Sequence, residues 1–268
     1  MKMRHWAFAI FSVLATVACT SNKAHSASGT PVVVRSAVPE NKRILVFTST
    51  KGFRHDSIPQ GVRCLRDLAQ EQGFQVEHTE DAKQFNAKNL ARFDCVVFLS
   101  TTGDVLEGEQ EDDFKEWMET GGTFFGIHAA TDTEFTWPWY GRMVGAYFSS
   151  HPKVQPADQL VVDAKHPATA GLPARWRRTD EWYNFRGFES DIHVLLRLDE
   201  KSYVGGKNGD HPSAWCKSVG EGKMFYTAGG HTKESYAEPE FRAHLAGALA
   251  WLMNPAARPP AIPSPASR

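Results

Sequence analysis

The first half of the chain alternates short apolar runs with segments whose apolar residues recur at helical spacing. Four apolar runs of strand length cover residues 43–48, 74–79, 93–100 and 123–127, and one of the helical segments between them covers residues 107–120. A continuous apolar run is typical of a central strand that is covered on both faces. The alternation of strands and helices predicts an α/β fold with a doubly wound, mostly parallel sheet.

The second half of the chain carries shorter apolar segments that are separated by polar loops. They predict extra short strands at residues 160–162, 182–185 and 194–196, and a hairpin that joins residues 214–216 to residues 224–226. A last helix is predicted over residues 238–253. Its apolar face consists of Phe241, Leu245, Leu249 and Leu252. His244 falls outside that face, so we expect its imidazole to be solvated.

The beginning of the chain has the pattern of an export signal. Lys2 and Arg4 precede an apolar stretch of about 13 residues, which is shorter than the roughly 20 residues of a membrane-spanning helix. Cys19 follows this stretch and resembles the lipidated cysteine of a bacterial lipobox. The alternative is a cleavable signal in which Cys19 has no role. We predict a signal over residues 1–19, and export to the periplasm or lipid anchoring to an envelope membrane.

Two further segments at the ends of the chain have the composition of linkers. Residues 20–42 are rich in Ser, Ala, Thr and Pro and predict a flexible tether, and residues 255–268 form a Pro-rich tail. Between them, residues 43–254 are long enough for one α/β domain with a sizeable core.

The composition excludes several classes of protein. A hydrophobic fraction of 41% and a charged fraction of 23% are typical of a globular protein. The formal net charge of −1 provides no basis for binding nucleic acid, and we expect no nucleotide cofactor. The cysteines lack CxxC spacing, so Cys64 and Cys95 are expected to be buried apolar residues and a disulfide framework is not expected.

Histidines follow several of the predicted strands. His55 lies in the segment after the first strand, His128 comes directly after the fourth, and His231 follows the late hairpin. Ligands bind beyond the carboxyl ends of the strands in open α/β sheets. We therefore expect these three imidazoles to meet at one rim of the sheet.

His128 is flanked by small residues, in the order Gly126-Ile127-His128-Ala129-Ala130. Small residues around one side chain at a strand-to-helix junction predict a sharp turn that raises this side chain into solvent. An imidazole in this place suits proton transfer or metal ligation better than acyl transfer. The alternative is a histidine at a strand end whose nitrogens bond to neighbouring backbone.

Six short motifs occur in a defined order along the chain. They are Gly52-Phe53-Arg54-His55, Gly126-Ile127-His128, Ser150-His151-Pro152, His166-Pro167, Asp180-Glu181-Trp182-Tyr183 and Gly229-Gly230-His231-Thr232. Together they resemble the trehalose-utilisation (ThuA-like) family, over residues 43–253. The resemblance implies a flavodoxin-like, class I glutamine-amidotransferase-like fold and a role in sugar metabolism. Glutamine hydrolysis needs a cysteine at the elbow, where this chain has His128, so we expect no amidotransferase activity.

Imidazoles and carboxylates are the candidate reactive groups. The residues expected to be catalytic, as acids, bases or ligands, are His55, His128, Glu181 and His231. A divalent metal ion such as Zn²⁺ would be held by His128, His151, Glu181 and His231. A metal-free acid–base cleft remains the alternative.

Two neighbouring groups have structural interpretations. Asp180 precedes Glu181, and adjacent strand residues point to opposite faces, so we expect Asp180 to be a structural hydrogen-bond acceptor beside the site. His166 precedes a proline, and we expect it to cap a loop or to be exposed.

A second group of residues predicts contacts with a small carbohydrate. Arg54 and Asp132 can bind its polar groups, and Trp137, Trp182 and Tyr183 can stack on the C–H faces of a pyranose. The alternatives are a surface ion pair for Arg54 and simple packing for the aromatic residues.

These observations favour an exported enzyme that acts on a sugar, a glycoside or a keto-sugar derivative. An isomerase, a lyase and a hydrolase are all compatible with acid–base groups of this kind, with or without a metal. One alternative is a carbohydrate-binding lipoprotein without catalysis. Another is an amidotransferase-like scaffold that serves only as a protein interaction surface.

Overall fold

The computed structural model describes residues 42–260. The predicted signal with Cys19, nearly all of the predicted tether and the end of the tail lie outside the described residues. The strands are β1 (Arg43–Phe47), β2 (Gln75–Thr79), β3 (Cys95–Leu99), β4 (Thr123–Ile127), β5 (Tyr147–Ser150), β6 (Gln155–Val161), β7 (Arg175–Asp180), β8 (Asn184–Arg186), β9 (His193–Leu198), β10 (Pro212–Val219) and β11 (Gly222–Thr227). The α-helices are α1 (Ile58–Glu71), α2 (Ala87–Leu90), α3 (Glu109–Glu119), α4 (Pro138–Val144) and α5 (Pro239–Met253).

Nine of the strands form one mixed sheet in the order β2-β1-β3-β4-β11-β10-β9-β6-β7. The pairs from β2 to β11 are parallel, and the pairs from β11 to β7 are antiparallel. β5 and β8 form a separate antiparallel pair. The predicted α/β fold with a parallel core and additional strands in the second half is therefore confirmed.

The parallel core is covered on both faces because neighbouring residues of a strand point to opposite sides of the sheet. On one face, Val46 of β1 belongs to an apolar layer with Val62 of α1 and Leu249 of α5. On the other face, Phe47 belongs to a layer with Phe114 of α3 and Tyr140 of α4. Burial on both faces is the reason why the first four strands are recognisable as continuous apolar runs.

The strand predicted at residues 182–185 is displaced along the chain. The chain leaves the large sheet at Asp180, the end of β7, and enters the small sheet at Asn184, the start of β8. Trp182 and Tyr183 lie in this crossing and not in a strand. The predicted strand at residues 160–162 is the end of the longer strand β6, and the predicted hairpin is confirmed as β10 and β11.

The expectation that His244 is solvated is wrong. Its side chain is fully buried, and its ring nitrogens contact the carbonyl oxygen of Ala168 at 2.7 Å and Oγ1 of Thr227 at 3.1 Å. The spacing of the apolar residues in α5 did not predict the burial of His244, because this helix is covered on two sides. A Cβ at Gly247 would lie 2.1 Å from the carbonyl oxygen of Pro167, so the loop before β7 packs directly on the helix.

No helix within residues 42–260 has the length and apolar composition needed to cross a membrane. The described cysteines, Cys64, Cys95 and Cys216, are free and buried. Burial raises the pKa of each of the three thiols. The prediction that Cys64 and Cys95 behave as buried apolar residues is confirmed.

Candidate functional site

His128 lies on a sharp turn where β4 ends. Its φ is +53°, and it begins a 3₁₀ turn that covers His128–Thr131. A Cβ at Gly126 would lie 3.0 Å from the ring of Tyr226 and 3.2 Å from Cβ of Ala130, so the small residues at this junction are required. The predicted turn is confirmed, but it raises the imidazole into a buried cluster and not into solvent, because His128 is fully buried.

The imidazole of His128 is oriented by the neighbouring strand. Its Nδ1 lies 2.9 Å from the carbonyl oxygen of Ala228. A carbonyl only accepts hydrogen bonds, so Nδ1 carries the proton and donates it. The lone pair of the neutral ring is thereby placed on Nε2, which faces the other site residues.

His55 approaches His128 from the loop after β1. The two Nε2 atoms are 3.1 Å apart, and the rings are perpendicular with centroids separated by 4.7 Å. Burial lowers the pKa of His55 to about 3, and the positive potential of the neighbouring histidines adds to this effect. Nδ1 of His55 is buried without a hydrogen-bond partner.

Glu181 and His231 complete the cluster. Oε2 of Glu181 lies 3.5 Å from Nε2 of His128 and 3.1 Å from Nδ1 of His231. Burial raises the pKa of Glu181, but its close contacts with His128 and His231 outweigh burial and hold this pKa far below the usual range. Burial lowers the pKa of His231, and the carboxylate of Glu181 outweighs it in the opposite direction, so this pKa is raised.

The four side chains form one compact group. Each offers a ligand atom, and these atoms all lie within 4.8 Å of one another. Three of the residues are buried, and Nδ1 of His231 makes no well-aligned hydrogen bond despite its closeness to Glu181. The residues come from four segments that are distant in the sequence. The structure thus brings together all four residues that were expected to be catalytic.

The donor set has the composition and spacing of a site for a divalent ion. Three imidazoles and one carboxylate are typical Zn²⁺ ligands, and tetrahedral zinc separates its ligand atoms by roughly 3.3 Å. The contacts of 3.1, 3.5 and 3.1 Å within the cluster are close to that spacing. Nδ1 of His231 is buried and makes no well-aligned hydrogen bond, which leaves its lone pair available to an ion.

His151 lies beside this cluster and not within it. Its Nδ1 is 2.8 Å from Oε1 of Glu181, the carboxylate oxygen that faces away from His128 and His231. The side chain is 44% exposed. His151 follows β5 in the small sheet and reaches Glu181 from the solvent side. The expected metal set of His128, His151, Glu181 and His231 therefore differs from the observed cluster by one residue, and His55 takes the place of His151.

Asp180 holds two of the cluster segments in place. Its fully buried carboxylate accepts hydrogen bonds from the backbone N–H groups of Glu181 at 2.9 Å, Gly230 at 2.8 Å and His231 at 3.1 Å. It also pairs with Arg178 at 2.7 Å. The structure thus gives Asp180 the position of a structural acceptor beside the site, as expected.

His166 was expected to cap a loop or to be exposed, and the structure shows the first of these. Its Nδ1 accepts a hydrogen bond from the backbone N–H of Ala168 at 3.1 Å. The side chain is buried, so it is not an exposed histidine.

The aromatic residues expected to stack on sugar are largely occupied by packing. Trp182 is fully buried, and its Nε1 donates a hydrogen bond to the carbonyl oxygen of Gln155, so Trp182 is not accessible to a ligand and this expectation is wrong. Trp137 is half-buried and packs against Trp139 and Phe114. The large area of these rings explains why they fill the protein interior.

Tyr183 and Asp132 lie near His128, whereas Arg54 is engaged by another residue. The ring of Tyr183 is buried and packs against His128 with a centroid distance of 4.4 Å. Nη2 of Arg54 forms an exposed ion pair with Glu80 at 2.7 Å, which is the alternative considered for it. Asp132 is half-buried, and burial raises its pKa to about 6 although His128 acts in the opposite direction.

Phe53 is a residue that the sequence did not single out. Its side chain is 66% exposed, and its ring centroid lies 4.9 Å from that of His55. The signal in the sequence was an aromatic residue two positions before a candidate histidine, in a loop after a central strand. Such a residue is ambiguous until its exposure is known.

Solved structures of ThuA-like proteins are similar to this chain. One from Bacteroides uniformis is 26% identical, with a TM-score of 0.71 over 84% of this chain and 95% of the other. Another from Parabacteroides merdae is 18% identical, with a TM-score of 0.65 over 80% and 91%. A cytoplasmic protein of Salmonella typhimurium shares the fold at 12% identity, with a TM-score of 0.56 over 78% and 98%.

The family model described as "ThuA: Trehalose utilisation" matches residues 43–252. No curated protein matches the chain. The family match covers nearly the whole of the described domain, and the ThuA-like structures share its class I glutamine-amidotransferase-like fold. The chain therefore belongs to the ThuA family, the family of trehalose utilisation.

Proposed function

We propose that this chain is an enzyme of carbohydrate metabolism whose reactive centre is the cluster of His55, His128, Glu181 and His231. One observation carries the proposal: four ionisable side chains from four distant segments meet at the carboxyl edge of the sheet, and three of them are buried. Burying such groups costs folding free energy. Perturbed and clustered ionisable groups are most common where a protein performs chemistry or binds an ion.

The same cluster would hold a divalent metal ion such as Zn²⁺. The donor types and the distances between them favour this ion, and the hydrogen bond from Nδ1 of His128 to Ala228 leaves Nε2 free for it. A metal ion bound there would polarise a carbonyl or hydroxyl oxygen of the substrate.

The residues around the cluster would handle protons. His151 is half-exposed and touches Oε1 of Glu181, so it can exchange a proton between the site and solvent. Asp132 supplies a carboxyl group whose raised pKa of about 6 suits acid–base work near neutral pH. Tyr183 packs its buried ring against His128 and would help to keep water from this side of the site.

The substrate we propose is a sugar, a glycoside or a keto-sugar derivative. The trehalose-utilisation family supports a carbohydrate, and the acid–base groups support isomerisation, elimination or hydrolysis. Glutamine amidotransfer is disfavoured because a histidine occupies the elbow. The three described cysteines are also buried in the apolar layers or within the sheet.

The proposed function can be tested in two steps. Elemental analysis of the purified protein should find about one equivalent of a divalent metal, with zinc as the expected ion. The metal-loaded protein should then convert at least one member of a panel of glycosides and their singly oxidised keto forms. The metal-stripped protein should not. A protein that binds sugar without converting it in either form would instead be a carbohydrate-binding protein.

We further propose that the protein is exported, to the periplasm or as a lipoprotein through Cys19. Support comes from the charged, apolar and small-residue order of residues 1–19. Cell fractionation should find the processed chain in the periplasm or in the envelope membranes, and if Cys19 carries the lipid, Cys19→Ala should abolish the labelling of the chain by a tagged fatty acid. Recovery of the unprocessed chain from the cytoplasm would contradict export.

A further inference from the structure

We propose that Phe53 is the surface on which the substrate's sugar ring stacks, with the C–H face of a pyranose lying on the open face of the phenyl ring. This inference rests on the proposed function, because it assigns a substrate contact to the same site. It replaces the stacking role that the sequence suggested for Trp182, whose ring is buried.

Phe53 is unusual in its exposure for a ring so close to buried ionisable groups. Its side chain is 66% exposed, whereas His55, two residues later, is 3% exposed. A phenylalanine in this condition leaves apolar area in contact with water, and covering that area stabilises a complex. A ligand that covers the ring would gain this stabilisation.

The loop that carries Phe53 is anchored by the neighbouring loop after β3. Oγ1 of Thr102 donates a hydrogen bond to the carbonyl oxygen of Phe53 at 2.9 Å, and the backbone N–H of Lys51 donates to the carbonyl oxygen of Thr102 at 2.7 Å. Gly103 has a φ of +75°, and a Cβ there would lie 3.1 Å from Cβ of Lys51. The ring is therefore presented by a tightly packed support, which reduces the entropy lost when a ligand binds.

The ring of Phe53 lies close enough to the cluster to contact a substrate that is bound there. Phe53 contacts His55 edge to face at 4.9 Å between centroids, and His55 contacts His128 in turn. A sugar ring on Phe53 would thus lie one side chain away from the cluster. The face of an aromatic ring is electron-rich and attracts the polarised C–H groups of a pyranose.

The other exposed phenylalanine of residues 42–260 does not have this placement. Phe135 is 39% exposed, but its ring packs on Tyr147 and lies under the guanidinium group of Arg186. Tyr183 contacts the cluster but is buried between His128 and Phe148. Of the two exposed phenylalanines in the described part of the chain, Phe53 is therefore the one that contacts the cluster.

The test measures the binding of trehalose to the full-length, metal-loaded protein by calorimetry, in the wild type and in three variants. Phe53→Ala should raise the dissociation constant for trehalose by about 5- to 10-fold. Phe53→Trp should keep this constant within about 2-fold of the wild-type value. Phe53→Leu keeps apolar volume without a π face and should resemble alanine. Val162→Ala is the control and should bind trehalose like the wild type. It removes exposed apolar surface just after the C-terminal end of β6, at the edge of the sheet opposite the cluster.

The outcomes separate this inference from the proposed function. Equal trehalose binding by the wild type and Phe53→Ala, or no trehalose binding by a zinc-containing wild type, would overturn the stacking role. Full affinity in Phe53→Leu would replace stacking by simple apolar contact and would also overturn it. A wild-type protein that takes up no metal would contradict the proposed metal centre, and this result is read from the metal content alone.

Discussion

The Nε2 atoms of His55 and His128 lie 3.1 Å apart, although 73 positions separate the two residues in the sequence. His128 already donates from Nδ1 to Ala228, so its Nε2 bears a lone pair in the neutral ring. Two ring nitrogens at this distance need either a proton or a cation between them. The low pKa of His55, caused by burial and by the adjacent histidines, disfavours an extra proton on its ring. Neutral His55 can fill this gap by donating from Nε2 to His128, and the proposed metal ion would take the place of that hydrogen bond.

His128→Ala is expected to weaken zinc affinity by more than about 100-fold and to abolish turnover. The substitution removes a proposed ligand, the imidazole that the turn after β4 places in the cluster. Competition with a coloured zinc chelator measures the zinc affinity, and far-UV circular dichroism checks that the variant is folded. His193→Ala is the matched control, because His193 pairs with Asp163 outside the cluster. Wild-type zinc affinity in His128→Ala would refute the role of this residue as a ligand.

Asp180→Asn is expected to act on the proposed metal site although Asp180 is not one of its four residues. It removes the charge that pairs with Arg178 and weakens the hydrogen bonds that hold Glu181 and His231. Breaking the buried ion pair should cost about 3 kcal/mol of unfolding free energy. Zinc affinity should fall by about 10- to 100-fold, as is usual when a group that orients ligands is removed.

The control for this positioning role is Ser235→Ala. Oγ of Ser235 also bonds to Asp180, at 3.1 Å, but it carries no charge. The variant should lose about 1 kcal/mol of stability and keep zinc affinity within about 3-fold. If Asp180→Asn is destabilised and yet binds zinc like the wild type, its carboxylate supports the fold only and does not position the site.

The parallel core and the meeting of the site residues could both be inferred from the sequence, for one physical reason. Strands covered on both faces are apolar along their whole length, and this pattern identifies β1, β3 and β4. Their polar continuations then share one edge of the sheet. His55 and His128 were expected together on this ground, and His231 was added because it follows the late hairpin.

The predictions that were wrong concern side chains whose position depends on packing between segments that are distant in the sequence. His244 lies off the main apolar face of α5, and only the loop at Pro167 explains why it is buried. Trp182 follows a candidate ligand in the sequence, but the chain crosses between two sheets at that point and carries the indole into the interior. The residue type alone did not show whether His55 or His151 joins the cluster, and only the position of the small sheet places His151 on the outer oxygen of Glu181.

Lys223→Met is expected to destabilise the fold far from the site. Nζ of Lys223 donates hydrogen bonds to the carbonyl oxygens of Trp251, Asn254 and Ala257, and it thereby ties the end of α5 to β11. Loss of these bonds should cost about 2 kcal/mol. The corresponding fall in Tm is about 4–8 °C for a domain of this size. Thermal denaturation of the exposed control Lys165→Met should show almost no change, and an equal Tm in both variants would contradict the role of Lys223.

The stability of the fold is expected to decrease as the pH falls from about 6.5 to about 4. Burial lowers the pKa of His244 to about 4, against 6.5 in the unfolded chain. Above pH 6.5 the imidazole is neutral in both states and its contribution to stability is complete. Below that pH the unfolded chain binds a proton that the folded chain excludes, so the free energy of unfolding falls by about 3 kcal/mol across this range.

Urea denaturation at pH 7.0, 5.5 and 4.5 measures this dependence, with His244→Gln as the comparison. Glutamine does not titrate, and its amide can still donate a hydrogen bond to the carbonyl oxygen of Ala168. The variant should be less stable than the wild type at pH 7.0 but should lose less stability on acidification. The remaining slope comes from other buried groups such as His166, whose pKa burial also lowers to about 4. Parallel curves for the two proteins would show that His244 is not the group whose protonation opposes folding.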